Sequence, residues 1–287
     1  MKFKILTFFI LIASLISNAQ DSISISFIGN EGVLISSPGR KVIIDAFFKR
    51  ADEWGLIAPS VKTLNDISNA QSEFDNIDLL IVTHDHIDHY NPVILGNCLK
   101  NNKSAILVTT ADVNAKLNKK YSSYTDISNR IYVPDLVWKE VKDTSLNGIN
   151  ISCMNVKHHA PDVVTQYAFL VEIGGHNVLH TASSDGSFPG EYEAFLLNEK
   201  EVDIALLHEF FLFTITESTI QKNQSGKNVV DSYINPQNVF VQHLYNLNSY
   251  KEDLDVLIEE MSDSYPIYYF ENSLESMTFK NSKLISE

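Results

Sequence analysis

The chain has 287 residues, 44% of them hydrophobic, and a formal charge of −14 at pH 7. That length and apolar content suffice for one large domain with a substantial core. A chain this acidic is poorly matched to polyanions, so no nucleic acid partner is expected.

The first residues read as an export signal. Lys2 and Lys4 precede an apolar run over 5–16, and Ser17-Asn18-Ala19 closes it with the small residues a signal peptidase reads. The run is short for a bilayer span, which argues against a stable membrane anchor. No cysteine follows it, which argues against lipidation. The expected organisation is a signal peptide over 1–19 and one exported domain over 20–287, periplasmic or secreted.

Residues 23–28 alternate isoleucine or phenylalanine with serine, the pattern of a half-buried strand. Gly29-Asn30-Glu31-Gly32 turns it into 33–35, and Pro38-Gly39 turns again into 42–44, which ends at Asp45. Strands joined by such turns form a meander, and no glycine-rich phosphate loop opens a helix here. The interval 47–76 has no clear repeat. Its Phe47, Phe48 and Trp54 fit either a substrate mouth or core.

Leu79, Leu80, Ile81 and Val82 then make a short apolar run, the mark of a buried strand. It ends abruptly in Thr83-His84-Asp85-His86-Ile87-Asp88-His89. So many polar groups at the end of a buried strand need something to coordinate them. Neutral imidazole and carboxylate are ligands that zinc takes, and they also suit iron or manganese. The spacing His84-x-His86-x-Asp88-His89 resembles the H-x-H-x-D-H signature of the metallo-β-lactamase superfamily. That resemblance implies an α/β fold, a four-layer αβ/βα sandwich with metals at one edge between two sheets. It also implies that Asp45 supports the ligand loop, although a plain turn residue at a strand end reads equally well.

Pro92 opens a helix with Val93, Ile94, Leu95, Cys98 and Leu99 on one side. A strand over 105–109, a helix over 112–121 and strands over 131–133 and 149–156 follow. Next comes Lys157-His158-His159-Ala160-Pro161-Asp162. The resembled family has a histidine, a small residue and a proline at its third ligand segment. His159 matches that form, so His159 is preferred as ligand, with His158 the alternate or supporting residue. A hairpin over 167–180 turns at Gly174-Gly175 and leads to Thr181-Ala182-Ser183-Ser184-Asp185. Many family members have Gly-Asp here, with the Asp bridging two metals, where this chain has Ala182-Ser183. Asp185 lies two residues on and faces the same way on extended backbone, so it is the expected substitute. A helix over 191–197 and a strand over 202–207 precede His208-Glu209. His208 either points into the site or packs, and the aromatic run 210–213 reads as core. A strand over 239–242 delivers His243, and a helix over 250–261 with strands over 266–270 and 277–279 closes the chain. Cys98 and Cys153 fit a disulfide or two buried thiols equally well.

The resemblance therefore implies a first metal on His84, His86 and His159 and a second on Asp88, His89, His243 and Asp185. The implied ions are one or two Zn2+, with Fe or Mn as alternatives, and Ser183 bears on the count. A metal-bound hydroxide would attack an ester, lactone, amide or phosphoester bond of a small molecule, with Asp88 moving the proton. Within the superfamily the chain looks most like the L-ascorbate-6-phosphate lactonase-like hydrolases. A phosphodiesterase, a β-lactamase and a degenerate, non-catalytic metal-binding protein are the alternatives. No oligomeric state follows from the sequence.

Overall fold

Two sheets face each other. In the first, β1 (Ser22–Gly29), β2 (Gly32–Ser37) and β3 (Arg40–Ile44) form the antiparallel meander, and β4 (Leu79–Val82), β5 (Ile106–Thr109) and β6 (Ile131–Tyr132) continue in parallel. The second sheet repeats this plan. Its antiparallel part is β7 (Val141–Leu146), β8 (Ile149–Val156), β9 (Gln166–Ile173) and β10 (His176–His180). β11 (Ile204–His208) joins in parallel to β10. A small hairpin of β12 (Phe213–Ile215) and β13 (Ile220–Lys222) stands apart. β14 (Asn238–Gln242) and β15 (Ile267–Tyr269) then extend the second sheet in parallel, while β16 (Ser276–Lys280) and β17 (Lys283–Ser286) return to the first beside β1. This computed structural model describes residues 22–49, 55–159, 164–188, 190–216 and 219–286.

The period of two along each strand sets the layers. Leu79 and Ile81 point between the sheets, where they meet Ile25, Val33 and Ile44 and, from the second sheet, Ile151, Phe169 and Leu206. Leu80 and Val82 point outward, onto Ile67, Leu95, Leu99 and Leu117. Those contacts come from α1 (Val61–Asn69), α2 (Pro92–Asn101) and α3 (Ala111–Lys120). In the second sheet Ala168 and Leu170 point outward onto Phe195, Val230 and Leu254. That outer face is covered by α4 (Gln224–Val229), the turn after it and α5 (Lys251–Met261). The result is helices, sheet, sheet, helices: the four-layer sandwich. Strands buried on both faces are continuous apolar runs, as β4 is. Each such Leu or Ile contributes about 1.5–3 kcal/mol by burial, and truncating Ile81 to alanine should cost about 2–5 kcal/mol.

Local signals account for most boundaries. Asn91 caps α2 by accepting from Val93 and Ile94 N, with Pro92 at its first position, and Thr110 caps α3 through Val113 N. α1 was not expected, because only Leu64 and Ile67 give its nine residues an apolar side. Residues 191–199 form two short 3₁₀ turns, not one helix, interrupted at Leu196 with φ 52°. Phe47 and Phe48 are fully buried, so they are core and not mouth. Trp54 and the expected signal segment lie outside the described residues. Cys153 sits between the sheets and Cys98 on the buried face of α2, so a sheet separates them and both are free thiols. Among the described residues no helix is long and apolar enough to cross a membrane.

Candidate metal centre

The parallel strands of both sheets finish at one edge, where open α/β sheets gather their ligands. Asp45 follows β3, the run Thr83–His89 follows β4, and His208-Glu209 and His243 end β11 and follow β14. His158 and His159 arrive from β8 and Ser183 from β10, while the β1–β2 turn brings Asn30 and Glu31 to the same place. Asp45, Ala182 and His243 adopt left-handed backbone, with φ of 48°, 52° and 65°. Such residues cost of order 1–3 kcal/mol each and survive where the surrounding structure dictates their aim.

His84, His86 and His158 form the first group, with one ligand atom of each within 4.8 Å of the others. Thr83 Oγ1 gives its only proton to Asp45 Oδ2 at 2.6 Å, so it accepts from His84 Nδ1 at 2.9 Å. His84 is thereby a neutral ring with its lone pair on Nε2, which lies 3.0 Å from His86 Nδ1. Two nitrogens on one tetrahedral ion with bonds of 2.0–2.1 Å stand about 3.3 Å apart, so this spacing fits a metal. Burial and the adjacent imidazoles hold His84 well below the ordinary histidine range and His158 at about 3. All that favours neutral donors.

The ring that joins His84 and His86 is His158, not His159 as the motif alignment expects. Neighbours at a strand end point to different sides. The backbone N and the Nδ1 of His159 both donate to Ser183 O, at 2.9 and 3.1 Å, which leaves Nε2 as its acceptor. Its ring stacks on His158 with centroids 4.5 Å apart, on the side of His208 and Phe210.

The second group is rich in carboxylates. Asp88 Oδ2 lies 3.7 Å from both His89 Nε2 and His243 Nε2 and accepts from Asn30 Nδ2 at 3.1 Å. Burial pushes the Asp88 carboxyl up, but His89 and His243 outweigh it and hold it well below the usual carboxylate range. Behind this group stands Asp45: Oδ1 accepts from Thr83 N and Oδ2 from His89 Nδ1, both at 2.9 Å. That contact leaves His89 Nε2 for the site. Asp85 is turned away and binds Tyr90 OH and Lys116 Nζ, each at 2.7 Å.

Residues 40–212, well over half of the chain, match the family described as the beta-lactamase superfamily domain. The chain belongs to the metallo-β-lactamase superfamily, a family of metallo-hydrolases. Among curated proteins it is 24% identical over 270 residues to cleavage and polyadenylation specificity factor subunit 3 of Dictyostelium discoideum. That match takes in 85% of this chain but only 33% of the relative, so the chain spans about a third of that protein's length. Solved structures with the same fold include a metallo hydrolase from the archaeon Ignicoccus hospitalis, at TM-score 0.61 and 14% identity, covering 90% of this chain and 99% of that one. CmlA, a diiron β-hydroxylase from Streptomyces venezuelae, aligns at TM-score 0.58 and 13% identity, covering 90% of this chain and 54% of that one.

The loop after β10 is where the chain departs from the pattern that the resemblance implied. Asp185 belongs to none of the converging groups; its Oδ1 accepts from Ser187 N at 2.9 Å, two residues on in its own loop. Ser183, at the usual Asp position, donates from Oγ to Glu31 Oε1 at 3.1 Å. Glu31 and Glu209 also lie at this edge, and the sequence did not single them out. Glu31 lies within 4.8 Å of His208 and His243 and within 4.8 Å of Asp45 and His89. In the sequence it stands in the turn Gly29-Asn30-Glu31-Gly32, and nothing there marks it. The donor set of imidazoles and carboxylates is one that zinc or iron takes. The buried and unpartnered Glu31 Oε2, His208 Nε2 and Glu209 Oε2 agree with a cation there.

Proposed function

We propose that this chain is an exported metal-dependent hydrolase that cleaves an ester, lactone, amide or phosphoester bond in a small molecule. The observation that carries the reading is the convergence of His84, His86 and His158 on one point, with the His84 lone pair directed at His86. These three residues would hold one divalent metal, zinc or iron, and Asp88, His89 and His243 a second. Bound there, a metal supplies Lewis acidity to water and to the oxygen of the scissile group. Asp88, steadied by Asn30, is placed to take a proton from the attacking water and deliver it to the leaving group. His159 has its Nδ1–H committed to Ser183 O, so Nε2 is its one acceptor, available to a substrate hydroxyl or amide.

A cavity of about 450 Å³ opens over these groups, lined by His86, Ile87, Asp88, His158, His159 and His243 among others. That volume suits a small ligand. Ile87 is 56% exposed at its rim and offers an apolar contact to substrate. Export rests on the segment 1–19.

A phosphodiester of a nucleic acid is the second reading, favoured by the likeness to the Dictyostelium cleavage and polyadenylation factor subunit. The net charge of −14 opposes it. Turnover of a panel of esters, lactones, β-lactams, phosphodiesters and short RNA, with chelator and after zinc is restored, tests both. Chelator-sensitive turnover of a small ester or lactone is expected. Turnover confined to RNA selects the second reading, and no chelator-sensitive turnover at all marks a non-catalytic metal-binding protein.

A further inference from the structure

We infer that Glu31 and His208 are ligands of the second metal position, and that Glu209 is the carboxylate that aims its imidazoles. The inference rests on the metal centre proposed above and adds residues that its sequence motifs do not contain.

Glu31 is 1% exposed, in the turn between β1 and β2. The turn is fastened to several of the loops that carry site residues. The Glu31 carbonyl accepts from His180 Nε2 at 2.9 Å and from Gln242 Nε2 at 3.3 Å, and Asn30 Nδ2 reaches Asp88. A Cβ on Gly32 would come within 2.9 Å of Asp45 O and Ala46 Cα, so the turn presses on the end of β3. Thus held, the carboxylate stands between Asp45 and His89 on one side and His208 and His243 on the other.

A purely structural carboxylate at this depth would have both oxygens answered, because an unpaired buried polar atom is costly. Glu31 has one answered: Oε1 accepts from Ser183, and Oε2 has no partner. The neighbouring His208 Nε2 and Glu209 Oε2 also lack a hydrogen-bond partner. One tautomer and one cation account for all three atoms. With its proton on Nδ1, His208 faces Glu209 Oε2 at 3.3 Å and has a lone pair on Nε2, 3.8 Å from Glu31 Oε1. Glu209 Oε1 already pairs with His243 Nδ1 at 3.1 Å. A single carboxylate then supports both rings from behind, the arrangement common behind metal-bound imidazoles. In the opposite tautomer His208 Nδ1 accepts a long bond from Phe210 N at 3.3 Å, and Nε2–H is left with no acceptor. A cation held by Glu31 and His208 would answer both the unpaired carboxylate oxygen and the imidazole lone pair. Ser183 is small and neutral, so its side chain leaves room for the Glu31 carboxylate and steadies it by a hydrogen bond.

The test is metal binding by the whole mature chain. Metal-free wild type, Glu31→Gln, Glu31→Asp and His208→Gln are titrated with Zn2+ and with Co2+. Bound metal is counted by elemental analysis, Co2+ sites are read from visible spectra, and the metal-induced rise in Tm is recorded. Wild type should hold about two ions and Glu31→Gln and His208→Gln about one, with the Co2+ spectrum of the histidine-only position kept. Glu31→Asp keeps the charge but is one methylene shorter, so it should retain the second ion only at higher metal concentration. Without metal, Glu31→Gln should be at least as heat-stable as wild type, whereas a structural Glu31 would make it less stable. The inference is overturned if both Gln variants keep the wild-type stoichiometry and spectrum. It is also overturned if metal-free Glu31→Gln is destabilised and still binds two ions. A wild type that binds no metal removes the centre as a whole, and a wild type that binds one ion unaffected by Glu31→Gln removes only the second position's new ligands.

Discussion

The donors that meet first at the ends of β4 and β8 are three imidazoles, whereas those gathered from the β1–β2 turn, β3, the far part of the β4 loop, β11 and β14 include four carboxylates. The first set, His84, His86 and His158, is assembled largely from one loop. Burial and mutual repulsion keep His84 and His158 neutral. Such a group carries no buried charge while empty. In the second set Glu31, Asp45, Asp88 and Glu209 surround His89, His208 and His243. Burial works against charge on His89, but Asp88 and Asp45 outweigh it and raise its pKa to about 9, and Glu209 acts likewise on His243. Four acidic groups face three imidazoles on this side, a donor set suited to a divalent cation. Metal removal should therefore destabilise the protein chiefly through the second position, and chelation should lower Tm more in wild type than in a variant that lacks Glu31.

Abolishing one side of the comparison gives the largest effect. His84→Ala with His86→Ala removes two of the three neutral donors, so the first position should lose its ion and hydrolysis should fall by more than about 100-fold. Elemental analysis should still find the second ion, and its loss too would show that the positions are not independent. His158→Ala against His159→Ala sharpens the same side. His158→Ala should weaken Zn2+ binding at the first position by more than about 10-fold, and His159→Ala should alter substrate affinity and leave that binding intact. Equal losses in a competitive chelator titration would contradict the geometry. On the carboxylate side, Asp45→Asn keeps volume but gives His89 Nδ1 and Thr83 a poorer partner. Affinity at the second position should drop about 10–100-fold.

The same contrast explains what the sequence disclosed. His84 to His89 are contiguous and follow an apolar strand, so spacing alone marked them. β4, β5, β11 and β14 were legible because burial on both faces leaves an uninterrupted apolar run. The choice between His158 and His159 was not legible, because it depends on which ring turns inward, and the grouping of His158 with His84 and His86 appears only in the folded chain. Glu31 lies far from the motif in the chain, and Gly-Asn-Glu-Gly has all the marks of an ordinary turn. Its position among these groups appears only once the ends of both sheets are brought to one edge. α1 and β7 were missed for a simpler reason. α1 buries little, and β7 is an edge strand with no fully buried residue.

The smallest expected effect concerns Glu191, which touches the surroundings of the first position alone. Its buried carboxylate accepts from Trp138 Nε1 and Lys157 N at 2.7 Å each and from Ser184 Oγ at 3.3 Å. It ties the strand end that delivers His158 to the loop that carries Ser183. Burial pushes this carboxyl above the usual range, more than its donors lower it. A carboxyl with a raised folded pKa contributes stability that is fully present below the unfolded value, about 4.3, and is lost as pH rises through the folded one. Glu191→Gln cannot ionise, so its metal-free form should gain Tm relative to wild type as pH rises from about 4 towards neutrality. Its amide oxygen keeps Trp138 and Lys157, and the Ser184 hydroxyl can turn to accept from the new amide nitrogen. The net change at neutral pH should stay within about 1 kcal/mol, or about 2–4 °C in Tm. Both metal positions should fill as in wild type. A pH-independent Tm difference would contradict the raised carboxyl, and loss of metal from the first position alone would show that this tie aims His158.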